Sequence, residues 1–239
     1  MNRDFSKEGY WSEAWIKHIE TYLAAPPRAG HWMRYMFPKL HNVLEIAGGS
    51  CRDSRYLADS GYNALGTDFD QKTIEYLNNR YPTSPLAMQR EDAFSLSFAD
   101  KSFNVSFSNG FWVCFSNDEE IYQLLHEQSR VTSRYLVALV HNAGNATLVA
   151  SFDELAKSDP LYDIRFFSLD DLVDIVDKSG VKYQSIKFYK FGGYVDAIYR
   201  KTIKRLPNML SGYAQYIAPR LYQCQSWEKT ERIACVIEL

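Results

Sequence analysis

The spacing of hydrophobic and polar positions changes period along this chain, and the changes mark its elements. YWSEAWIKHIETYL puts Trp11, Trp15, Ile19 and Tyr22 at helical intervals, and the APP of Ala25 to Pro27 stops the run. HWMRYMFPKL then predicts a second short helix ended by Pro38. From Val43 onward short apolar runs alternate with longer amphipathic ones, the signature of a mostly parallel sheet covered on both faces. Strands are expected at 42–46, 63–68, 86–90, 103–108 and 135–141, and helices at 53–60, 71–80, 118–131 and 169–179. A sixth strand follows at 182–189, and the chain ends on RIACVIEL, a seventh. Residues 191–226, rich in Tyr, carry helical periodicity between those two strands.

The expected architecture is thus α/β: a Rossmann-like, seven-stranded, mostly parallel sheet with helices on both faces. A helical arm at 1–40 precedes a core at 41–190, a helical insert at 191–226 covers the substrate, and the last strand lies within 227–239. The whole chain, 1–239, reads as one domain of a size that can bury a full core. In an open parallel sheet the ligand crevice lies at the carboxyl ends of the strands, so chemistry is to be sought in the loops that follow them.

Composition narrows the function. Apolar residues at 46% and charged residues at 23% are ordinary globular values, whereas 17 Tyr and 14 Phe suggest rings lining a roomy pocket as well as the core. A net charge of -2 supplies no basic field for nucleic acid. No stretch approaches the roughly 20 apolar residues of a membrane-spanning helix. Cys51, Cys114, Cys224 and Cys235 form neither CxxC pairs nor a compact disulfide pattern, and MNRDFSKEGYW has no signal-peptide run. The expectation is a reduced, cytoplasmic protein, monomeric or homodimeric, with no nucleic-acid or membrane partner and no metal, since no HxH, HExxH or Cys/His ligand spacing occurs.

VLEIAGGSCRDSRYL, from Val43 to Leu57, holds the first strand, a turn and the start of a helix. Ala47, Gly48, Gly49 and Ser50 are four small residues in succession, which lets a backbone approach a ligand closely. A pyrophosphate dinucleotide also needs a third glycine where helix meets sheet, and Arg52 stands there, so a nicotinamide cofactor is disfavoured.

The stretch Glu45, Ile46, Ala47, Gly48, Gly49, Ser50, Cys51 resembles motif I of the class I S-adenosylmethionine-dependent methyltransferases, an acidic residue followed by G-x-G-x-G. Ala47 takes the first glycine place and Cys51 the third, while Gly49 is kept. ALGTDFDQKTIEYL is similar to the family's second strand and helix. The resemblance implies that Asp68, with Phe69 beside it, holds the ribose hydroxyls, close to the ~20-residue offset of such an acid. Asp70 reads as the cap of the next helix. EDAFSLSFADKSFNVSFSNG resembles the blocks in which Asp92 and Ala93 would contact adenine, while Asn109 and Gly110 would pass the methionine end; Ser97 stands at the family's proline. LLHEQSRVTSRYLVALV is similar to the family's E-x-x-R-V helix and fifth strand. Together these motifs cover about 43–140 and imply S-adenosylmethionine as cofactor, in a small-molecule branch.

Methyl transfer from a sulfonium needs mainly positioning, plus a base where the acceptor is protonated. As a base, His141 at the carboxyl end of the fifth strand is preferred to His31 in the arm, while a bonded structural histidine is the more frequent reading of such a residue. Glu45 reads equally as a cofactor-side carboxylate or a loop-bonding one, Asp53 as a helix-dipole partner, and Arg52 as a surface residue or a carboxylate partner. Tyr10 and Trp11 read equally as lid or as helix packing. The expected activity is O- or N-methylation of a small molecule. The alternative is a catalytically inactive S-adenosylmethionine-binding partner or sensor. A polymer acceptor is disfavoured, since SNGF replaces an NPPY-like tetrad.

Overall fold

A computed structural model describes residues 18–196 and 217–239. Tyr10, Trp11 and Trp15 of the arm, and residues 197–216 of the expected insert, lie outside the described residues. The strands are β1 (Asn42–Glu45), β2 (Asn63–Asp68), β3 (Ala87–Arg90), β4 (Phe103–Asn109), β5 (Thr132–His141), β6 (Ser185–Gly193) and β7 (Thr230–Glu238). They form one seven-stranded sheet in the order β3-β2-β1-β4-β5-β7-β6. Between them run α1 (residues 18–24), α2 (Arg28–Met36), α3 (Arg52–Asp59), α4 (Gln71–Arg80), α5 (Asp118–Val131), α6 (Ala146–Ala156) and α7 (Leu169–Ser179), with α8 at 217–224.

By compactness the chain divides into two units, Met1–Asn109 with Gln123–Leu136, and Gly110–Tyr122 with Val137–Leu239. In the first, β1 pairs in parallel with both β2 and β4, and β2 with β3. The chain therefore winds outward from β1 in one direction and returns to its other side with β4, which makes the carboxyl ends of β1 and β4 a topological switch point. Val43 and Leu44 of β1 and Val105 and Phe107 of β4 are buried, so this part of the sheet is sealed on both faces as parallel strands require. In the second unit β6 and β7 run antiparallel, from Ser185 opposite Glu238 to Gly193 opposite Thr230.

Local chemistry explains most boundaries. Asp70 caps α4, accepting from the Thr73 amide at 2.8 Å and its hydroxyl at 2.6 Å. Ser168 and Asp171 form a capping box on α7, and Gly180 ends that helix in the left-handed region (φ 73°). Four expectations need correction. Strand β5 begins at Thr132 rather than at 135. The second arm helix starts at Arg28, directly after Pro27 and ahead of the expected His31, and stops at Met36, just before the Pro38 expected to end it. The sixth strand runs Ser185–Gly193 instead of 182–189, because its register is set by the pairing with β7. Helix α6 was not expected; Asn145 caps it by accepting from the Leu148 amide at 3.0 Å. None of its residues is fully buried, which blurs the apolar stripe by which a helix is read from sequence.

Candidate functional site

The turn after β1 is built on left-handed backbone: Ala47, Gly49 and Cys51 have φ of 52°, 53° and 45°. Two of the three are not glycine, and each such residue costs about 1–2 kcal/mol relative to a relaxed conformation. The turn is held by several bonds. Gly48 N-H donates to Thr67 O at 2.8 Å, Cys51 N-H to Gly48 O at 2.9 Å, and the Thr67 hydroxyl to Glu45 O at 2.9 Å. Cys51 is fully buried, and its side chain fits where the family's third glycine would lie because two other residues lack a Cβ. A Cβ on Gly66 of β2 would stand 2.9 Å from the Cys51 sulfur, and one on Gly48 at the same distance. Burial pushes the Cys51 thiol well up, which makes it an inert packing group.

Glu45, 2% exposed, turns beneath this loop and accepts from the Ser54 amide at 3.0 Å, supplying the N-terminal cap that Cys51 does not. Burial, with the Asp53 charge second, pushes its carboxyl well above the usual carboxylate range. At the end of β2, Asp68 accepts from Gly49 N-H at 2.8 Å with one oxygen and from Asp70 N-H at 3.0 Å with the other. Burial raises its pKa, partly offset by those amides. Phe69, half-buried, lies under the Arg90 guanidinium, which also donates to Phe69 O at 3.0 Å.

After β3, Asp92 is exposed and Ala93 buried; Asp92 accepts from the Phe94 amide at 2.9 Å, which folds the segment into a tight turn. Two features here escaped sequence reading. Glu91 accepts from the Ser97 amide and hydroxyl at 2.8 and 2.5 Å, so the serine at the proline place is tied down by hydrogen bonds. Arg130 of the E-x-x-R pattern donates to Leu96 O, Phe98 O, Asp100 and Glu127, clamping the loop that follows Ala93. A glycine inside a strand, as in NALGTD, was the readable signal for the close packing of Cys51 on Gly66.

Asn109, ending β4, donates from Nδ2 to Asp53 at 3.3 Å. Asp53 is thus more than a dipole partner: it is 3% exposed and also accepts from Gly30 N-H of α2 at 2.9 Å. Arg52 donates to Tyr22 O at 2.8 Å and is only 14% exposed, which corrects its reading as a surface residue. His31 packs edge-on against Tyr56 with ring centres 4.2 Å apart. Burial lowers its pKa to about 4, the Asp53 charge opposing and Arg34 assisting, so it is a weak base at neutral pH.

Within the first unit, then, Glu45, Ala47, Gly48, Gly49, Asp68 and Phe69 are joined around one turn, and Asn109 reaches Asp53 in the first turn of α3. Gly110 (φ 82°) and His141 belong to the other unit. There Gly110 N-H donates to Leu139 O at 2.9 Å. His141, 6% exposed, closes β5 with its ring 5.0 Å from Phe152 and 5.7 Å from Phe166. Among the described residues no His, Cys, Asp or Glu cluster could hold a metal, and no helix is long and apolar enough to cross a membrane.

The donor set suits a nucleoside cofactor: an acid at the end of β2 for a diol, an exposed acid after β3 for an amine, and a small-residue turn between β1 and α3. A strand, such a turn and a helix at the switch point of an open sheet define a Rossmann-like cofactor-binding protein. Residues 44–135 match the family model described as a methyltransferase domain. No curated protein matches the chain significantly. Among solved structures the fold is similar to an S-adenosylmethionine-dependent methyltransferase from Archaeoglobus fulgidus, at 16% identity and TM-score 0.63 over 96% of this chain and 100% of that one. It is also similar to a possible histamine N-methyltransferase from Thermotoga maritima, at 13% identity and TM-score 0.61 over 96% and 99%. A third likeness is to magnesium protoporphyrin IX methyltransferase from Synechocystis with bound S-adenosylhomocysteine, at 10% identity and TM-score 0.56 over 100% and 90%. At such identities the likeness is one of fold. Residues 44–135 thus carry a methyltransferase domain, on a fold shared with S-adenosylmethionine-dependent methyltransferases, which supports S-adenosylmethionine as the cofactor.

Proposed function

We propose that this protein methylates a small-molecule acceptor at oxygen or nitrogen, with His141 as the base. The observation that carries the reading is the setting of His141, an imidazole buried at the carboxyl end of β5 between the half-buried rings of Phe152 and Phe166. Such a setting suits a compact, ring-bearing or apolar acceptor, and a net charge of -2 favours such a molecule over a polynucleotide. Bound S-adenosylmethionine supplies a methyl group already activated by the sulfonium.

The chain's own contribution is positioning. Asp68 and the turn at Ala47 to Gly49 hold the ribose side, Asp92 and Ala93 the adenine, and Glu45, Asn109 and Gly110 the methionine end. Phe69 flanks the ribose. His141 takes the proton that a hydroxyl or ammonium acceptor releases. The protein acts as a monomer or homodimer, without nucleic acid or membrane.

The test is methyl transfer from labelled S-adenosylmethionine to panels of small phenols, small amines, bulk RNA and denatured protein. The reading expects transfer to a phenol or amine, lowered about 10²–10⁴-fold by His141→Gln with cofactor affinity unchanged. Transfer only to RNA or protein, or full activity of His141→Gln, would overturn it. Transfer to no acceptor, with cofactor bound, would favour the non-catalytic binding protein.

A further inference from the structure

We propose that Asp53 ties helix α2 of the arm to the cofactor site, so that docking of the arm and affinity for S-adenosylmethionine rise and fall together. The inference rests on the reading that Asn109 serves the methionine end of the cofactor. Asp53 is a buried carboxylate whose two oxygens serve different elements: one accepts from the Gly30 amide in α2 at 2.9 Å, the other from Asn109 at the end of β4 at 3.3 Å. Its charge also acts on Glu45 beneath the cofactor turn.

The approach of α2 to the first turn of α3 at Asp53 is as close as a backbone allows. A Cβ on Gly30 would stand 2.7 Å from Asp53 O and 3.0 Å from the Tyr56 ring. Glycine is unfavourable inside a helix, and here its missing side chain is what lets α2 reach α3. Further ties lock the two helices: His31 against the Tyr56 ring at 4.2 Å, and Arg34 donating to Tyr56 Oη at 3.1 Å. Helix α3 starts at the residue after Cys51, so a displacement of its first turn moves the cofactor turn directly. Asp53 is therefore a positioning residue, and by reciprocity a cofactor that orders Asn109 must also tighten α2.

The experiment combines calorimetric titration of S-adenosylmethionine with amide hydrogen exchange over Arg28–Met36 in the full chain. In the unaltered protein the cofactor should slow exchange in α2. Gly30→Ala, which wedges α2 from α3, should speed that exchange and weaken binding on the order of tenfold, the usual size of such couplings. Asp53→Ala should do the same, and adding Gly30→Ala to it should cost no further affinity. Asp53→Asn, which keeps an oxygen for Gly30 and can offer an amide to a flipped Asn109, should restore most of the affinity. Loosened α2 exchange with unchanged affinity in Gly30→Ala, or α2 exchange indifferent to the cofactor, would overturn the coupling while leaving the cofactor assignment intact. Failure of the unaltered chain to bind S-adenosylmethionine would overturn that assignment, and the coupling with it.

Discussion

The departure of the turn between β1 and α3 from the glycine pattern of the methyltransferase motif it resembles makes a sharp stability prediction. Cys51 fills the third glycine place only because Gly66, on the neighbouring strand, has no side chain. A Cβ at Gly66 would lie 2.9 Å from the Cys51 sulfur, 2.9 Å from the Ser54 hydroxyl and 3.1 Å from Cys51 Cβ. Those are backbone-anchored or short side-chain atoms, both residues are fully buried, and neither can swing aside. Gly66→Ala is therefore an overpacking change, with a cost of about 1–3 kcal/mol. Reduced unfolded-state entropy returns about 0.4–1 kcal/mol of that. For a chain of this size each kcal/mol moves Tm by about 2–4 °C, so Gly66→Ala should melt several degrees lower. In a Cys51→Ala background the sulfur contact is gone and only the Ser54 and Cβ contacts remain, so Gly66→Ala should cost less there. The pair should couple by about 0.5–3 kcal/mol in a double-mutant cycle. Thermal melts followed by circular dichroism, with urea unfolding as the second measure, read the four proteins. A Gly66→Ala cost that is absent, or the same with and without the sulfur, would refute the account of how this turn accommodates cysteine.

Two pH effects follow from the buried charges. Folding raises the Glu45 pKa, so the native state binds more protons than the unfolded chain above the ordinary carboxylate range, and stability should fall as pH rises there. Glu45→Gln should flatten that loss in urea unfolding at stepped pH; an unchanged slope would contradict a protonated buried Glu45. His31 behaves in the opposite sense: its pKa falls from 6.5 to about 4, so its contribution is complete above pH 6.5 and is lost as pH drops towards 4. Protection factors over α2, corrected for the intrinsic pH dependence of amide exchange, should fall across that window and much less so in His31→Gln; an equal fall in both would remove His31 as the cause.

Much of the fold is legible because its units obey local rules. Helices α4, α5 and α7 have capping or charged first turns and clear periodicity, and their observed bounds match those expected from sequence. Strand β2 is likewise fully expected at Asn63–Asp68. What failed was set by distant partners. The bounds of β6 depend on a pairing with β7, some forty residues on in the chain, which no local pattern encodes. Helix α6 buries no residue completely, so its pattern lacked a sealed face. Of the candidate site, Asp68 was readable from its offset after Gly49, and the structure shows its carboxylate bonded to that residue's amide. Asp53 was under-read because a helix-start acid has a sufficient local explanation, whereas its actual partners, Gly30 and Asn109, are 23 and 56 positions away. Gly66 was missed for the same reason: its meaning lies in the Cys51 side chain opposite it.

The central claim is that the turn between β1 and α3, with Asp68, holds S-adenosylmethionine, and calorimetric titration of that molecule tests it most directly. NADH serves as the control ligand, and Asp68→Ala and Asp68→Asn as the variants. The account predicts binding of S-adenosylmethionine and none of NADH, with affinity reduced on the order of 10–100-fold by loss of charged hydrogen bonds to the ribose in both variants. No binding by the unaltered protein, or binding that neither Asp68 substitution weakens, would contradict it.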